Sequence, residues 1–223
     1  MRWSNLTQKK YALLPNAITQ SHYGVGPKSA ELVEWYGLRG KTVVMTLGRL
    51  AAEEKYKGFD EIMDLLPALI KQIPQIAYVI VGDGDDRPRL EAKAKSLGVG
   101  DRVVFTGFIR EAEKADHYRL ADAFVMPGRG EGFGFVFLEA LACGIPVVGS
   151  KLDGSREALR QGELGLLVDP DRPDDIAAGI LEALKRPRGV IPEGLNYFSF
   201  ENFTKRCHRL LRQGSNPGEA SEV

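Results

Sequence analysis

The chain has 223 residues, 43% hydrophobic and 27% charged, ordinary values for a globular protein. Thirty Lys plus Arg balance thirty Asp plus Glu, so no overall field draws the chain to nucleic acid or an anionic membrane, and any anion must be held locally. Two cysteines, Cys143 and Cys207, with no CxxC pair argue against a disulfide framework and a zinc site, and no apolar run has the length of a membrane span.

Residues 1–40 read as a lead-in, with LLPNAI from Leu13 as a short strand and turn. The basic start, MRWSNLTQKK, is not followed by the apolar core of a signal peptide, so a reducing cytoplasm is the expected setting. From Lys41 onward, short β-rich runs alternate with segments of helical period. TVVMTLG from Thr42 is the first strand, followed by a helix over 58–72. AYVIVGD from Ala77 precedes a helix over 87–97, and RVVFTGF from Arg102 precedes one over 111–121. AFVMPGR from Ala123 leads to a helix over 134–143, and PVVGS from Pro146 to a short one over 155–160. GLLVDP from Gly165 leads to a helix over 173–186, where Pro173, Asp174 and Asp175 suit a first turn. An amphipathic helix over 200–211 comes last, before a polar tail expected to be disordered.

Four of the strand candidates are nearly continuous apolar runs, the signature of parallel strands covered on both faces. Six such strands alternating with helices predict a doubly wound, Rossmann-like α/β domain with a six-stranded parallel sheet. With strand order 3-2-1-4-5-6, the switch point lies between the first and fourth strands, where ligands bind at the carboxyl ends. Those ends are Gly48-Arg49 and the loop 127–134.

Known phosphate motifs fail in this chain. LGRLAAEE after the first strand is no GxGxxG, Gly82-Asp83-Gly84 has Arg87 in place of the third glycine, and GxxxxGK[ST] does not occur. The glycine-rich loop Gly128, Gly130, Gly132, Gly134 either turns tightly without clashes or lets a ligand approach the next helix's free amides. Glu131 lies in this loop, and Glu139 lies about five residues into the helix, leaning back toward its start. Both carboxylates are therefore expected at one crevice, one above the other, as acceptors for a ribose diol or a hexose. Arg49 and Lys57 either converge there on a diphosphate or are surface cations beside Glu53 and Glu54. His22, His117 and His208 are scattered without metal-ligand spacing, and Ser155 lacks the GxSxG of a nucleophile elbow.

EGFGFVFLEA followed by LACGIPVV, with LPNAI, LGRL, Lys57-Gly58, YVIVGDGDDRPRL, RVVFTGFI, HYRLADAFVMPGRGEGFG, GSKLDGSREAL and GLLVDPDRPDDIA in order, resembles retaining glycosyltransferases of the GT-B fold, family 4. The resemblance covers about residues 11–211. It implies that Arg49, Lys57 and Glu131 serve the transfer, the two cations by binding the donor's diphosphate beside Gly48. It gives Glu139 the ribose hydroxyls. Glu131 and the backbone of Gly132, Phe133 and Gly134 take the donor sugar, with Phe135 and Val136 continuing toward the phosphate. Gly107, Phe108 and Ile109 would line the base pocket. The resemblance further implies a UDP-, GDP- or ADP-sugar donor, no divalent metal, and a separate N-terminal acceptor domain absent from this chain. Residues 41–211 would then form the donor domain alone, between an interdomain connection (1–40) and a polar tail (212–223). Alone, it is expected to bind donor without transferring sugar, and peripheral membrane attachment of the full enzyme stays open. A non-catalytic binding module is the main alternative; a glycosidase using Glu131 and Glu139 is a weaker one, since it needs no diphosphate site.

Overall fold

The structure, a computed structural model, describes residues 12–215, without the side chains of 213–215. Strands β1 (Thr42–Leu47), β2 (Ile76–Val81), β3 (Val103–Phe105), β4 (Ala123–Val125), β5 (Val147–Ser150) and β6 (Leu166–Val168) form one sheet in the order β3-β2-β1-β4-β5-β6. Every pairing is parallel, with Thr42 opposite Ile76, Val44 opposite Ala123 and Phe124 opposite Val147. Five of the six strands fall within the runs read from the sequence, β2 begins one residue earlier at Ile76, and the switch point lies between β1 and β4 as expected.

The helices are α1 (Ala30–Trp35), α2 (Phe59–Gln72), α3 (Arg87–Ser96), α4 (Lys114–Leu120), α5 (Phe135–Ala142), α6 (Ser155–Ala158), α7 (Pro173–Lys185) and α8 (Phe200–Ser215). Successive side chains of a strand point to opposite faces, and the apolar runs accordingly feed two cores. Val43, Met45, Ala77 and Val79 pack with Tyr118 and Leu120 of α4 and Phe137 of α5. Val44, Tyr78 and Ile80 pack on the other side with Ile62 and Leu66 of α2, Leu90 of α3 and Ile176 of α7. Each fully buried side chain of this size stabilises by about 1.5–3 kcal/mol relative to exposure. Between β1, β2 and β4 the buried Thr46 hydroxyl donates to the Val125 carbonyl at 2.6 Å and meets the Tyr78 hydroxyl at 2.8 Å.

Three readings change. The segment 12–40, expected as a lead-in, is folded onto the domain. LLPNAI makes no strand beyond one parallel bridge of Ile18 to Ser199, and Ile18 is buried. The unforeseen α1 is capped by Ser29, whose Oγ accepts from the Leu32 amide, and it packs on α4. Arg119 of α4 donates to the Gly24 carbonyl at 2.9 Å, and Lys28 pairs with Asp122 at 2.8 Å. The helix expected over 111–121 begins as a 3-10 turn, Glu111–Glu113, before α4. Finally, α8 runs to Ser215, so the helix includes the start of the expected tail; residues 1–11 and 216–223 lie outside the described residues.

Candidate functional site

Chain continuity sets out the crevice. The carboxyl end of β1 carries Gly48 and Arg49, and a 3-10 helix, Ala52–Lys57, fills the insertion before α2. Glu54 on that turn lies between the two cations. Lys57 Nζ is 3.0 Å from Glu54 Oε2, and the Arg49 guanidinium pairs with Glu54 Oε1. Burial pushes the Glu54 carboxyl up, but hydrogen bonds from Lys57 and Arg49 outweigh it and hold it below the usual range. Lys57 sits near a helix start, where a cation needs an anion, and here a protein carboxylate supplies it. Both cations thus pair with Glu54, one of the two acidic neighbours considered from the sequence. Arg49 keeps 72% of its side chain exposed, whereas Lys57 keeps 15%.

The loop 127–134 packs directly on this insertion. Gly58 has φ +87, and a Cβ there would lie 2.8 Å from the Pro127 carbonyl, so only glycine lets α2 start against the loop. The Arg129 amide donates to the Tyr56 carbonyl at 2.8 Å, and its guanidinium bonds Asp171 Oδ1, the Pro170 carbonyl and Glu61. Glu131 is half-buried. Its carboxylate accepts from the Phe133 amide at 3.4 Å, its own amide donates to Asp153 Oδ2 at 3.1 Å, and its carbonyl accepts from Gly154 at 2.8 Å. Ser155 is buried and bonds Asp153 through its amide and hydroxyl, consistent with a structural part. Gly134, at φ +93, starts α5; no side chain caps that helix, which leaves its first amides to a ligand or to water. Gly132 is exposed, Phe133 is buried against Phe198, Phe135 is 44% exposed and Val136 is half-buried.

Glu139 is 7% exposed and faces α4. The Tyr118 hydroxyl donates to its Oε2 at 2.7 Å, and Lys114 Nζ lies 3.4 Å from its Oε1. Glu131 and Glu139 thus have different partners, loop backbone for one and α4 side chains for the other. They are anchored independently, Glu131 in the loop before α5 and Glu139 five residues into it against α4. Tyr118, Lys114 and Asp153 were not singled out in the sequence, and Glu54 was named only as an acidic neighbour of Arg49 and Lys57. Lys114 and Tyr118 stand four apart, on one face of a helix, which is the signal that was available.

The ends of β2 and β3 adjoin. The Gly82 amide donates to the Gly107 carbonyl at 3.1 Å, and the Gly48 amide to the Val81 carbonyl at 2.9 Å, so Gly107, Phe108 and Ile109 lie two strands from Gly48. Phe108 is 81% exposed, and Arg87 stacks over Phe105. His117, in α4, is buried between the Glu113 carbonyl and the Tyr36 hydroxyl. Among the described residues, no group of three His, Cys, Asp or Glu is placed to hold a metal ion, and no helix is long and apolar enough to cross a membrane.

The profile of the family described as glycosyl transferases group 1 matches residues 36–196, from the end of α1 through the whole sheet. This chain belongs to that family. It is 35% identical over 222 residues to the GDP-mannose-dependent alpha-(1-6)-phosphatidylinositol monomannoside mannosyltransferase of Mycolicibacterium smegmatis, covering 94% of this chain and 57% of that protein. It is 38% identical over 172 residues to the phosphatidyl-myo-inositol mannosyltransferase of Mycobacterium tuberculosis H37Rv, covering 77% of this chain and 43% of that one. The chain therefore spans about half the length of the curated relatives it matches. Among solved structures, HepE of Anabaena in complex with UDP and glucose superposes with a TM-score of 0.74 at 25% identity, over 90% of this chain and 56% of that one. The C-terminal domain of a group 1 glycosyl transferase from Francisella tularensis, at 24% identity and a TM-score of 0.64, shares the fold over 97% of its own length. The fold is the Rossmann-like domain of GT-B glycosyltransferases.

Proposed function

We propose that this member of the group 1 family is the donor-binding half of a retaining hexosyltransferase that uses a nucleoside diphosphate sugar. One observation supports the reading: Arg49 and Lys57 follow the carboxyl end of β1, and Lys57 packs at Gly128 on the loop that leads from the neighbouring β4 into α5, the helix that carries Glu139. Two cations and helix amides match a diphosphate; a carboxylate matches vicinal hydroxyls. Glu131 and the backbone from Gly132 to Val136 would hold the sugar, and Gly107, Phe108 and Ile109 the base. As the bond from the sugar to the diphosphate lengthens, negative charge collects on the leaving oxygens, and Arg49, Lys57 and the α5 amides would stabilise it without a metal.

Relatives at 35–38% identity are named for GDP-mannose or mannosyl transfer, which supports GDP-mannose as the first donor to test. The half-length match to these relatives supports an acceptor site supplied by a separate N-terminal half. Titration calorimetry with GDP, UDP and ADP in EDTA tests the reading. One nucleotide is expected to bind with one-to-one stoichiometry, and the chain alone is expected to transfer no sugar from its donor. Binding that requires a divalent ion would contradict the metal-free diphosphate site, and mannose transfer by the chain alone would contradict the half-enzyme reading.

A further inference from the structure

The Tyr118 hydroxyl has no exposure to solvent and is aimed at one oxygen of Glu139. Its ring cannot swing freely: it stacks edge-on against Phe124, with centroids 5.7 Å apart, and against Tyr23, 6.2 Å away. Phe124 in turn stands edge-on to Phe137 at 5.6 Å, two residues before Glu139 on α5. The donor atom is thereby tied through aromatic packing to the helix that carries its acceptor.

The other oxygen is held differently. Lys114 lies 3.4 Å from Glu139 Oε1 but 2.9 Å from Glu111 Oε2, and its side chain is 22% exposed. The tight contact goes to Glu111 and the loose one to Glu139. An ionised carboxylate offers about four lone-pair sites. Tyr118 uses one on Oε2 and Lys114 one on Oε1, and even with the Tyr23 hydroxyl as a third donor at this carboxylate one acceptor site remains. A carboxylate buried to this degree needs such partners to stay in place, because otherwise it turns toward whatever charge or water it can reach. Burial first, and the Glu139 charge next, push the Tyr118 hydroxyl well above its ordinary range, so it stays a donor at every physiological pH.

We propose that Tyr118 and Lys114 are positioning residues for donor binding: Tyr118 fixes Glu139 Oε2, and Lys114, bound more tightly to Glu111, holds Oε1 loosely enough to share it with a vicinal diol. The inference rests on the reading of Glu139 as the ribose acceptor. It predicts that the two residues act only through ligand hydroxyls and not through the diphosphate or base.

The test compares GDP with 2′,3′-dideoxy-GDP by calorimetry on the 223-residue chain, with the UDP pair in its place if UDP binds tighter. Hydrogen bonds to a charged acceptor predict a wild-type preference for the ribonucleotide of about tenfold or more. Tyr118→Phe keeps the ring packing and removes the donor. Its preference is expected to fall within about threefold, with dideoxynucleotide affinity held within about twofold of wild type. Lys114→Met, on a partly exposed side chain that folding tolerates, is expected to reduce the preference less, again without touching the dideoxy ligand. In a Glu139→Gln background, Tyr118→Phe is expected to change nothing further, which a merely structural role would not give. If Glu139→Gln abolishes the preference while Tyr118→Phe and Lys114→Met retain it, the inference is overturned and the ribose assignment stands. If Tyr118→Phe does not fold, an unchanged preference in Lys114→Met overturns it equally. If no nucleoside diphosphate binds, or Glu139→Gln keeps the wild-type preference, the underlying reading of the site fails instead.

Discussion

Lys57 Nζ lies 3.0 Å from Glu54 Oε2 while Arg49 occupies the other oxygen, so the two cations assigned to the donor diphosphate already share one internal counter-ion. A bound diphosphate would have to displace that carboxylate or lie beside it. Glu54→Gln keeps the side-chain size and removes the charge. Nucleoside diphosphate binding is expected to tighten about threefold to tenfold at low salt, the scale of a screened surface charge, and less at high salt. Calorimetry at two ionic strengths reads both. Weaker binding in the variant would mean that Glu54 organises the cations and does not compete for them.

The loop geometry gives a sharp contrast between two nearby glycines. A Cβ at Gly134 would lie 2.4 Å from the Phe137 ring at φ +93, whereas one at Gly132 meets nothing within 4 Å. Gly134→Ala is expected to lose about 1–3 kcal/mol through backbone strain, with a further loss from displacing the ring. Gly132→Ala is expected to leave thermal stability nearly unchanged. A thermal melt of the two variants side by side checks this, and equal midpoints would show that the conformation at the start of α5 is wrong.

Phe137 links that loop to the core. It is fully buried and edge-on to Phe124. Phe137→Ala is expected to cost about 3–5 kcal/mol in urea unfolding, at the upper end for a single substitution. A loss under about 1 kcal/mol would place α5 outside the core.

An acid-sensitive contribution comes from the clamp between α2 and α3. Asp60 takes two hydrogen bonds from Arg89, at 2.8 and 2.7 Å, and one from Lys93 at 2.8 Å. Its carboxyl is held down to about 2, from 3.8, first by the Arg89 hydrogen bonds, against a burial effect that opposes them. Because the folded value lies below the unfolded one, the stabilisation is present above about pH 3.8 and is lost as pH falls through about 2. For a half-buried carboxylate, screening leaves roughly 1 kcal/mol of this. Asp60→Asn is expected to be less stable than wild type at pH 6 and to converge with it by pH 2, as measured by urea midpoints.

The sheet was legible because runs such as Val43 to Met45 and Ile76 to Val81 are apolar without alternation, which only a doubly covered parallel strand satisfies. The crevice followed from strand order, and Glu131 and Glu139 followed from two charges in an apolar stretch. Glu54 was visible as a neighbour of the two cations, but not its place between them, because the turn of the insertion has no periodic signal. Tyr118 is a core aromatic that carries no signal of its own, and only its contact with Glu139 reveals the second part it takes. The packing of 12–40 on the domain was not legible because anchors such as Ile18 and Lys28 are single residues that leave no pattern in sequence.

The central claim, that the switch-point crevice binds a nucleoside diphosphate through Arg49 and Lys57, is tested most directly by titrating GDP and UDP into wild type and an Arg49→Ala/Lys57→Ala double variant. The account predicts saturable one-to-one binding in wild type, weakened at least tenfold by loss of the two charge-assisted contacts, with the variant still folded by circular dichroism. Equal affinity in wild type and the double variant would contradict it.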